Sequence, residues 1–422
     1  MCGITGFWDP SLQHGREYLE TSVKNMSDKI VHRGPDDHGV WVDEKSGIGL
    51  GFRRLAILDL TPTGHQPMVS GDGRYVIVFN GEVYNFEALR DELEALGHTF
   101  RGRSDTEVML ASFQQWGIVP AIKRFNGMFA FALWDCTEHR LYLVRDRIGI
   151  KPLYYGWLDG VFAFGSELKT LRAHPAFQSE IDRDALASML RHNYIIAPYS
   201  IYKGISKLQQ GTILQVNTDD RSSHMIPYWS GLETAEYGYA HPFEGDEKEA
   251  ADELEALLRE SIRLRMIADV PLGAFLSGGV DSSTITALMQ AQSPIPVRTF
   301  SIGFSEEAYD EAQHAKAVAK HLGTDHTELY VTPKEAMDVI PRLPALYDEP
   351  YSDSSQIPTF LVSQLARRHV TVSLSGDGGD ELFGGYTRYT FAQNIWRWIG
   401  WQPQEIRSVL SGLLGVPSIE QW

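Results

Sequence analysis

The sequence predicts two domains of different class, an α+β domain rich in sheet followed by an α/β domain built on a parallel sheet. Three observations carry this prediction. At 422 residues the chain is longer than one hydrophobic core ordinarily serves. From residue 38 to about 165 it is dominated by short β-type runs, GVWV, YVIVF, GMFAFALW, RLYLV and VFAFG, separated by glycine or charged turns. After residue 246 strand-like and helix-like runs alternate, the pattern of crossover units covering both faces of a parallel sheet.

The chain opens MCGITGFW. Loss of Met1 would leave the Cys2 thiol and a free α-amine on one carbon, and an amine with a reference pKa of about 8 can take the thiol proton near neutral pH. The alternative is an ordinary small residue at a frayed end. Among the β runs, NFEALRDELEALGH places Phe86, Leu89, Leu93 and Leu96 at helical spacing, so helices are expected on the faces of the first domain's sheets. Residues 2–215 make up this domain. Residues 216–246, with DDRSS and a GYAHPFEG turn cluster, read as a linker. Residues 247–422 form the second domain. Its first helix, DEKEAADELEALLRESIRLRMI, sets Ala250, Leu254, Leu257, Leu258 and Ile262 on one side. PLGAFLSG, VRTFSIGF, TELYV and VTVSLSG then read as strands, with DSSTITALMQAQ, YDEAQHAKAVAKHLG and a longer helical region between them.

Composition narrows the function classes. The net charge of -17, from 38 basic and 55 acidic residues, gives no electrostatic footprint for nucleic acid. No apolar run approaches a membrane span and the start lacks a signal peptide's regions, so a cytoplasmic protein without membrane partners is expected. Two cysteines, Cys2 and Cys136, support neither a disulfide framework nor a zinc site, and Cys136 in WDCTEH reads as a passive thiol.

Two glycine-rich loops follow apolar strands in the second half. SGGVDSS, from Ser277 to Ser283, combines glycines that let the backbone approach an anion, Ser282 and Ser283 hydroxyls, and the positive end of a helix. Gly278 and Gly279 lie at its centre, but the loop lacks the Walker and dinucleotide patterns. SGDGGDELFGGY, from Ser375 to Tyr386, follows VTVSL. Two strand-end loops in one parallel sheet converge on one crevice, where Asp281 and Asp380 can share a Mg2+ ion bound to phosphates.

In the first half, Arg54 in RLAILD can hold a carboxylate, and Glu82 and Asp105 an ammonium group. The Asn80 amide and Gly81 N–H can donate to an oxygen that turns negative when Cys2 attacks a carbonyl. Taken singly, these residues also read as a surface ion pair, a hairpin turn and a solvated helix start.

MCGITGFW, HRGPDD, RLAILD, NGEVYN, SDTEV, NGMFAFALWD, RDRIGIKPLYY, SELKTL, FLSGGVDSS and SGDGGDELFGGY occur in that order. Over Cys2 to about Tyr386 the chain resembles the glutamine-hydrolysing asparagine synthetases. The resemblance implies an N-terminal-nucleophile sandwich, two stacked antiparallel sheets between helices, followed by an ATP pyrophosphatase domain. It implies Cys2 as nucleophile, Asn80 and Gly81 as oxyanion hole, and glutamine bound by Arg54, Leu55, Ala56, Ile57, Leu58, Asn80, Gly81, Glu82 and Asp105. ATP contacts are implied for Leu276, Ser277, Gly278, Gly279, Asp281, Ser282, Ser283, Ile302, Ser375 and Gly376. The implied activity joins glutamine hydrolysis to ATP-dependent adenylation of aspartate and its amidation to asparagine, in a homodimer. The motifs leave open another carboxylate acceptor, or a protein that binds glutamine and ATP without turnover.

Two departures from the family pattern stand out. Asp377 occupies the SGDGG position where many members carry a glutamate that helps form the adenylate. Members also continue well past GGY and supply a catalytic lysine there, whereas this chain runs only from Thr387 to Trp422. A second domain truncated at its C-terminus is therefore expected, with the apolar WRWIGW and IRSVLSGLLGV stretches packing on something outside this chain.

Overall fold

The computed structural model describes residues 1–178, 180–304 and 312–414. The opening YDE of the helix expected at 309–323 and the end of the apolar tail lie outside the described residues. The chain divides into two compact units, one of Met1–Gly273 with Leu329–Ser373, the other of Ala274–Glu328 with Leu374–Trp422.

In the first unit β1 (Gly3–Trp8), β2 (Asp37–Asp43) and β3 (Ile48–Arg54) are followed by β4 (Met68–Val69), β5 (Tyr75–Val83), β6 (Gly127–Asp135) and β7 (Arg140–Arg145). Next come β8 (Tyr154–Leu158), β9 (Val161–Gly165), β10 (Ile205–Lys207), β11 (Thr212–Asn217) and β12 (Ser223–Pro227). They form two antiparallel six-stranded sheets, ordered β10-β8-β9-β1-β3-β2 and β12-β11-β7-β6-β5-β4. Period-two alternation explains how they stack. Ile4, Trp8, Leu50 and Phe52 of one sheet meet Val76, Val78, Ala130, Ala132 and Leu143 of the other in a dry layer, against which Cys2 is partly buried.

The outer faces bury the intervening residues. Phe7 and Ala163 pack on helix α1 (Arg16–Asp28) through Leu19, Val23 and Met26. Ile77, Phe79 and Phe131 pack on α2 (Phe86–Ala95), α3 (Asp105–Trp116) and α4 (Ile118–Arg124). Further along, α5 (Leu168–Arg172) closes the first outer layer. The result is the four-layer sandwich expected.

The stretch read as a linker is more ordered than that. It holds β12, paired with β11, and the helix Gly231–Ala240, capped by the Ser230 side chain. Its turn-forming composition hid a strand whose residues are mostly exposed. The helix Glu247–Arg265 forms with an Asp246–Glu249 capping box. Its expected apolar stripe is not a core face, since Ile262 is buried while Leu254 and Leu257 are exposed.

The second sheet-bearing region contains β13 (Leu272–Phe275), β14 (Arg298–Phe304), β15 (Asp325–Val331) and β16 (Val372–Leu374), in the order β15-β14-β13-β16. Helical crossovers link them, including Val280–Gln292 and Ala312–Leu322, as a parallel sheet requires. Strands run outward from β13 to β15 on one side, while β16 lies on the other. The strand order therefore reverses between β13 and β16, the position at which such sheets bind ligands. The tail helices Thr387–Ile399 and Gln404–Leu414 have no buried residue among those described, and Trp396, Trp398 and Trp401 are exposed.

Candidate active site

Antiparallel pairing puts Gly3 opposite Arg53, so Cys2 emerges beside the end of β3 and the turn after it. The Cys2 Sγ lies 3.4 Å from the Leu55 N–H and 3.5 Å from the Leu55 carbonyl. Ala56 N–H is held by Asp36 of HRGPDD at 2.9 Å, and Asp269 fixes the same turn through the Ile57 carbonyl and Asp59 N–H. Burial pushes the Cys2 thiol up, while the Leu55 hydrogen bond, the terminal amine and Arg54 pull it down. Met1 is 54% exposed as a residue, yet burial around its amine, helped by Arg33, Lys151 and Arg367, lowers that amine to about 5.

Strand β5 delivers the facing groups. Val76 and Val78 point into the layer between the sheets, and alternation sends Asn80 and Glu82 the same way, toward the layer that holds Cys2. Asn80 is 1% exposed, and both its Oδ1 and its Nδ2 are buried without a hydrogen-bond partner among the described residues. An unpaired buried amide costs roughly 1–3 kcal/mol. On the free edge of β5 the Phe79 N–H donates to Gln66 at 2.7 Å and the Val83 N–H to Asp105 at 3.0 Å. Gly81 lies between them, so its N–H faces the same edge. A Cβ at Gly81 would run into the β6 backbone at Met128 and Phe129. Glycine is required there by close approach alone.

Burial raises Glu82 to about 8, helped by repulsion from Asp105 and opposed by Lys151 and the terminal amine. Asp105, at the start of α3 behind the Ser104 cap, is raised to about 6 by burial against hydrogen bonds from Val83 and Thr106. Two buried carboxyls thus stand ready for a cation. Arg54 is also buried, but its guanidinium clasps the turn below it, donating to the carbonyls of Leu58, Asp59 and Thr61. Those bonds use three of its five N–H groups. Leu58 packs on the core outside β5, and Leu55 to Leu58 are half-buried.

Two cations escaped the sequence reading. Lys151 of RDRIGIKPLYY is 4% exposed, with its Nζ 3.1 Å from the Met1 sulfur, and burial pulls it down to about 8. Arg33 of HRGPDD donates from Nε to the Cys2 carbonyl at 2.9 Å. Their motifs were visible, but nothing in the spacing tied residues 33 and 151 to residue 2.

In the second unit, SGGVDSS and SGDGG meet at the strand-order reversal. Gly278 adopts φ +85°, a conformation glycine favours, and packs against the His314–Ala315 backbone. Ser277 Oγ and Ser282 Oγ are 2.9 Å apart, while the buried Ser283 Oγ has no partner among the described residues. A Cβ at Gly376 would press on the Ser282 N–H at 2.8 Å, and one at Gly379 would strike the Asp281 carboxylate, so the loops touch directly. Leu276 N–H donates to the Phe300 carbonyl at 2.9 Å, placing the loop beside β14, which carries Ile302. Ser375 Oγ donates to Asp377 at 2.9 Å. Asp281 lies against Gly379, and Asp380, the next residue, sits against Gly385 at the following turn. No cluster of three or more His, Cys, Asp or Glu side chains fit for a metal occurs among the described residues. The glycine backbone, the helix start and the unsatisfied Ser283 hydroxyl do suit nucleotide phosphates.

Comparisons with known proteins set the class first. A family model described as a glutamine amidotransferase domain matches residues 1–229, and one described as asparagine synthase matches residues 253–418. A protein of Methanocaldococcus jannaschii, provisionally named asparagine synthetase [glutamine-hydrolyzing] 2, is 39% identical over 92% of this chain and 76% of its own length. Asparagine synthetase [glutamine-hydrolyzing] 1 of Bacillus subtilis is 37% identical over 92% of this chain, which spans 59% of that relative. A Mycobacterium tuberculosis protein, also provisionally named an asparagine synthetase, is 38% identical, and 61% of its length is spanned. The chain belongs to the glutamine-hydrolysing asparagine synthetase family.

Among the described residues no helix is long and apolar enough to cross a membrane.

Proposed function

We propose that this protein makes asparagine from aspartate with ammonia cut from glutamine, at the expense of ATP. The observation that carries the first half is the buried Asn80 amide, unpaired among the described residues, beside a Gly81 N–H on the open edge of β5, with the Asn80 side chain facing the layer where Cys2 is held. With Met1 removed, the Cys2 amine takes the thiol proton and the sulfur attacks the glutamine side-chain carbonyl. Asn80 Nδ2 and Gly81 N–H receive the developing negative oxygen. The tetrahedral adduct collapses when the new ammonium returns its proton to the departing nitrogen, giving ammonia and a thioester that water then cleaves to glutamate. Glu82 and Asp105 hold the α-ammonium of glutamine, the two unused N–H groups of Arg54 its α-carboxylate, and Leu55 to Leu58 frame it.

At the second site the Ser277–Ser283 and Ser375–Gly376 loops hold ATP, with Leu276 and Ile302 against the nucleotide. Aspartate's side-chain carboxylate displaces pyrophosphate, and ammonia then displaces AMP. A Mg2+ ion held through Asp281 would neutralise phosphate charge, with Asp380 and Asp377 nearby in sequence as further acids. The names of the relatives and the contact between the two glycine loops support this half. Incubation with glutamine, aspartate and MgATP tests the whole, reading glutamate, AMP and asparagine separately. Glutamate without AMP would limit the reading to the first unit.

Two expected results follow from the charges. Glu82, at about 8 when the site is empty, must ionise to bind an ammonium. Burial disfavours its anion, so glutamine binding should tighten on the order of tenfold or more as pH rises from 6 to 8, with proton uptake by the buffer. Titration calorimetry in buffers of different ionisation enthalpy measures the released proton, and Glu82→Gln should abolish the release. Asp281→Asn should cut pyrophosphate release on the order of 100-fold while leaving glutamine cleavage nearly unchanged, in paired assays.

A further inference from the structure

HRGPDD and SELKTL carry no assigned role in the chemistry above, yet their charged residues form one continuous chain. Arg33 donates through Nε to the Cys2 carbonyl at 2.9 Å and through Nη1 to Glu167 at 2.9 Å. Glu167 also takes His32 at 3.0 Å and Lys169. Lys169 continues to Asp348, with its Nζ 3.2 Å from one carboxylate oxygen and its own backbone N–H 2.8 Å from the other. Next to Asp348, Glu349 pairs with Lys207 and accepts from the Tyr154 hydroxyl at 3.3 Å.

The side chains of Arg33, Glu167, Lys169 and Asp348 are 8%, 14%, 19% and 7% exposed, so little water screens the chain. Burial alone would raise Glu167, but His32, Arg33 and Lys169 outweigh it and hold the carboxyl at about 2. Asp348 is far from Cys2 in sequence, yet Leu329–Ser373 belongs to the same compact unit as Cys2. Beyond Ser373 the chain runs directly into the Ser375–Gly379 loop.

We propose that Arg33, Glu167, Lys169 and Asp348 act as a positioning chain, by which the Tyr347–Glu349 segment holds the Cys2 backbone in its attacking position. The Arg33 guanidinium fixes the carbonyl of the nucleophilic residue, Glu167 orients that guanidinium, and Lys169 orients Glu167 while Asp348, together with the Ala345 carbonyl 3.3 Å from its Nζ, anchors it. None of the four touches the reacting atoms. The proposal rests on Cys2 being the nucleophile.

A charge-reversal cycle tests it in the full chain, with glutamine hydrolysis and Cys2 alkylation by iodoacetamide as readouts. Lys169→Glu and Asp348→Lys should each lower kcat for glutamine about tenfold with KM within about twofold, and slow alkylation at every pH from 6 to 9. The double reversal should lose no more than Lys169→Glu alone, because Asp348 acts on Glu167 only through Lys169 and that reversal already sets an acid beside Glu167. Asp348→Asn, nearly isosteric, serves where a reversal fails to fold, and should give a smaller loss in the same direction. Additive single effects, an unchanged kcat in Asp348→Asn, or a loss confined to KM would overturn the positioning role. Cys2→Ala separates the two ideas, since glutamine hydrolysis persisting in that variant would refute the nucleophile itself, whereas its loss alongside an additive cycle would refute only the chain.

Discussion

Cys2→Ala should remove glutamine hydrolysis, with a fall in kcat on the order of 10⁴-fold or more, because no other group in the site can form the thioester. The loss should leave folding intact. Cys2 lies half-buried at the edge of the layer between the sheets, and among the described residues its thiol hydrogen-bonds only to the backbone of Leu55. A variant that keeps Met1 should fail equally, since its free amine is then one residue removed from the thiol. With ammonium salts supplied in place of glutamine, both variants should still form asparagine, which separates loss of the ammonia source from loss of the second site. Mass spectrometry of the intact chain establishes whether Met1 is present, and glutamate release measures the outcome. Hydrolysis surviving in Cys2→Ala would require a different nucleophile.

Asn80→Ala should cost on the order of 10²- to 10³-fold in kcat with little change in KM, the pattern for a donor that engages only in the transition state. The structure makes this case unusually clean. Neither polar atom of the Asn80 side chain has a partner among the described residues, so the substitution breaks no ground-state hydrogen bond. It also relieves the desolvation of an unpaired amide, which offsets the small cavity left behind. Asn80→Ala should therefore melt within a few degrees of the parent while losing most of its activity. Thermal denaturation and steady-state kinetics on the same preparation check both halves. A large drop in melting temperature would mean that Asn80 is a structural residue.

Much of this arrangement was legible in the residues. Alternation along YVIVFNGEV is enough to put Asn80 and Glu82 on one face of a strand, and the interruption of the apolar run by those two residues marks where the site opens. Likewise, glycine and serine at the ends of two apolar strands announced an anion site, and the strand order places them together. What could not be read were long-range pairings. Arg33 and Lys151 meet the first two residues only because β1 is threaded into the middle of its sheet, and Asp348 is linked to them through Lys169, Glu167 and Arg33. The exposed β12 eluded a periodicity argument, since one alternating face must be buried for the pattern to be seen. Arg54 shows the converse: the sequence gives its charge, but only the fold reveals that much of its hydrogen-bonding capacity goes to the turn beneath it.

Because β1 pairs with β3 on one side and with β9 on the other, the first residues synthesised wait for a neighbour made more than 150 residues later. Such non-local closure is slow. A ribosome-bound chain that has not yet extended past Gly165 thus carries its sulfur on an unpaired strand edge, outside any finished cavity. Amide cleavage therefore waits on closure of the sheet around β1, which ties the timing of activity to the completion of the sandwich.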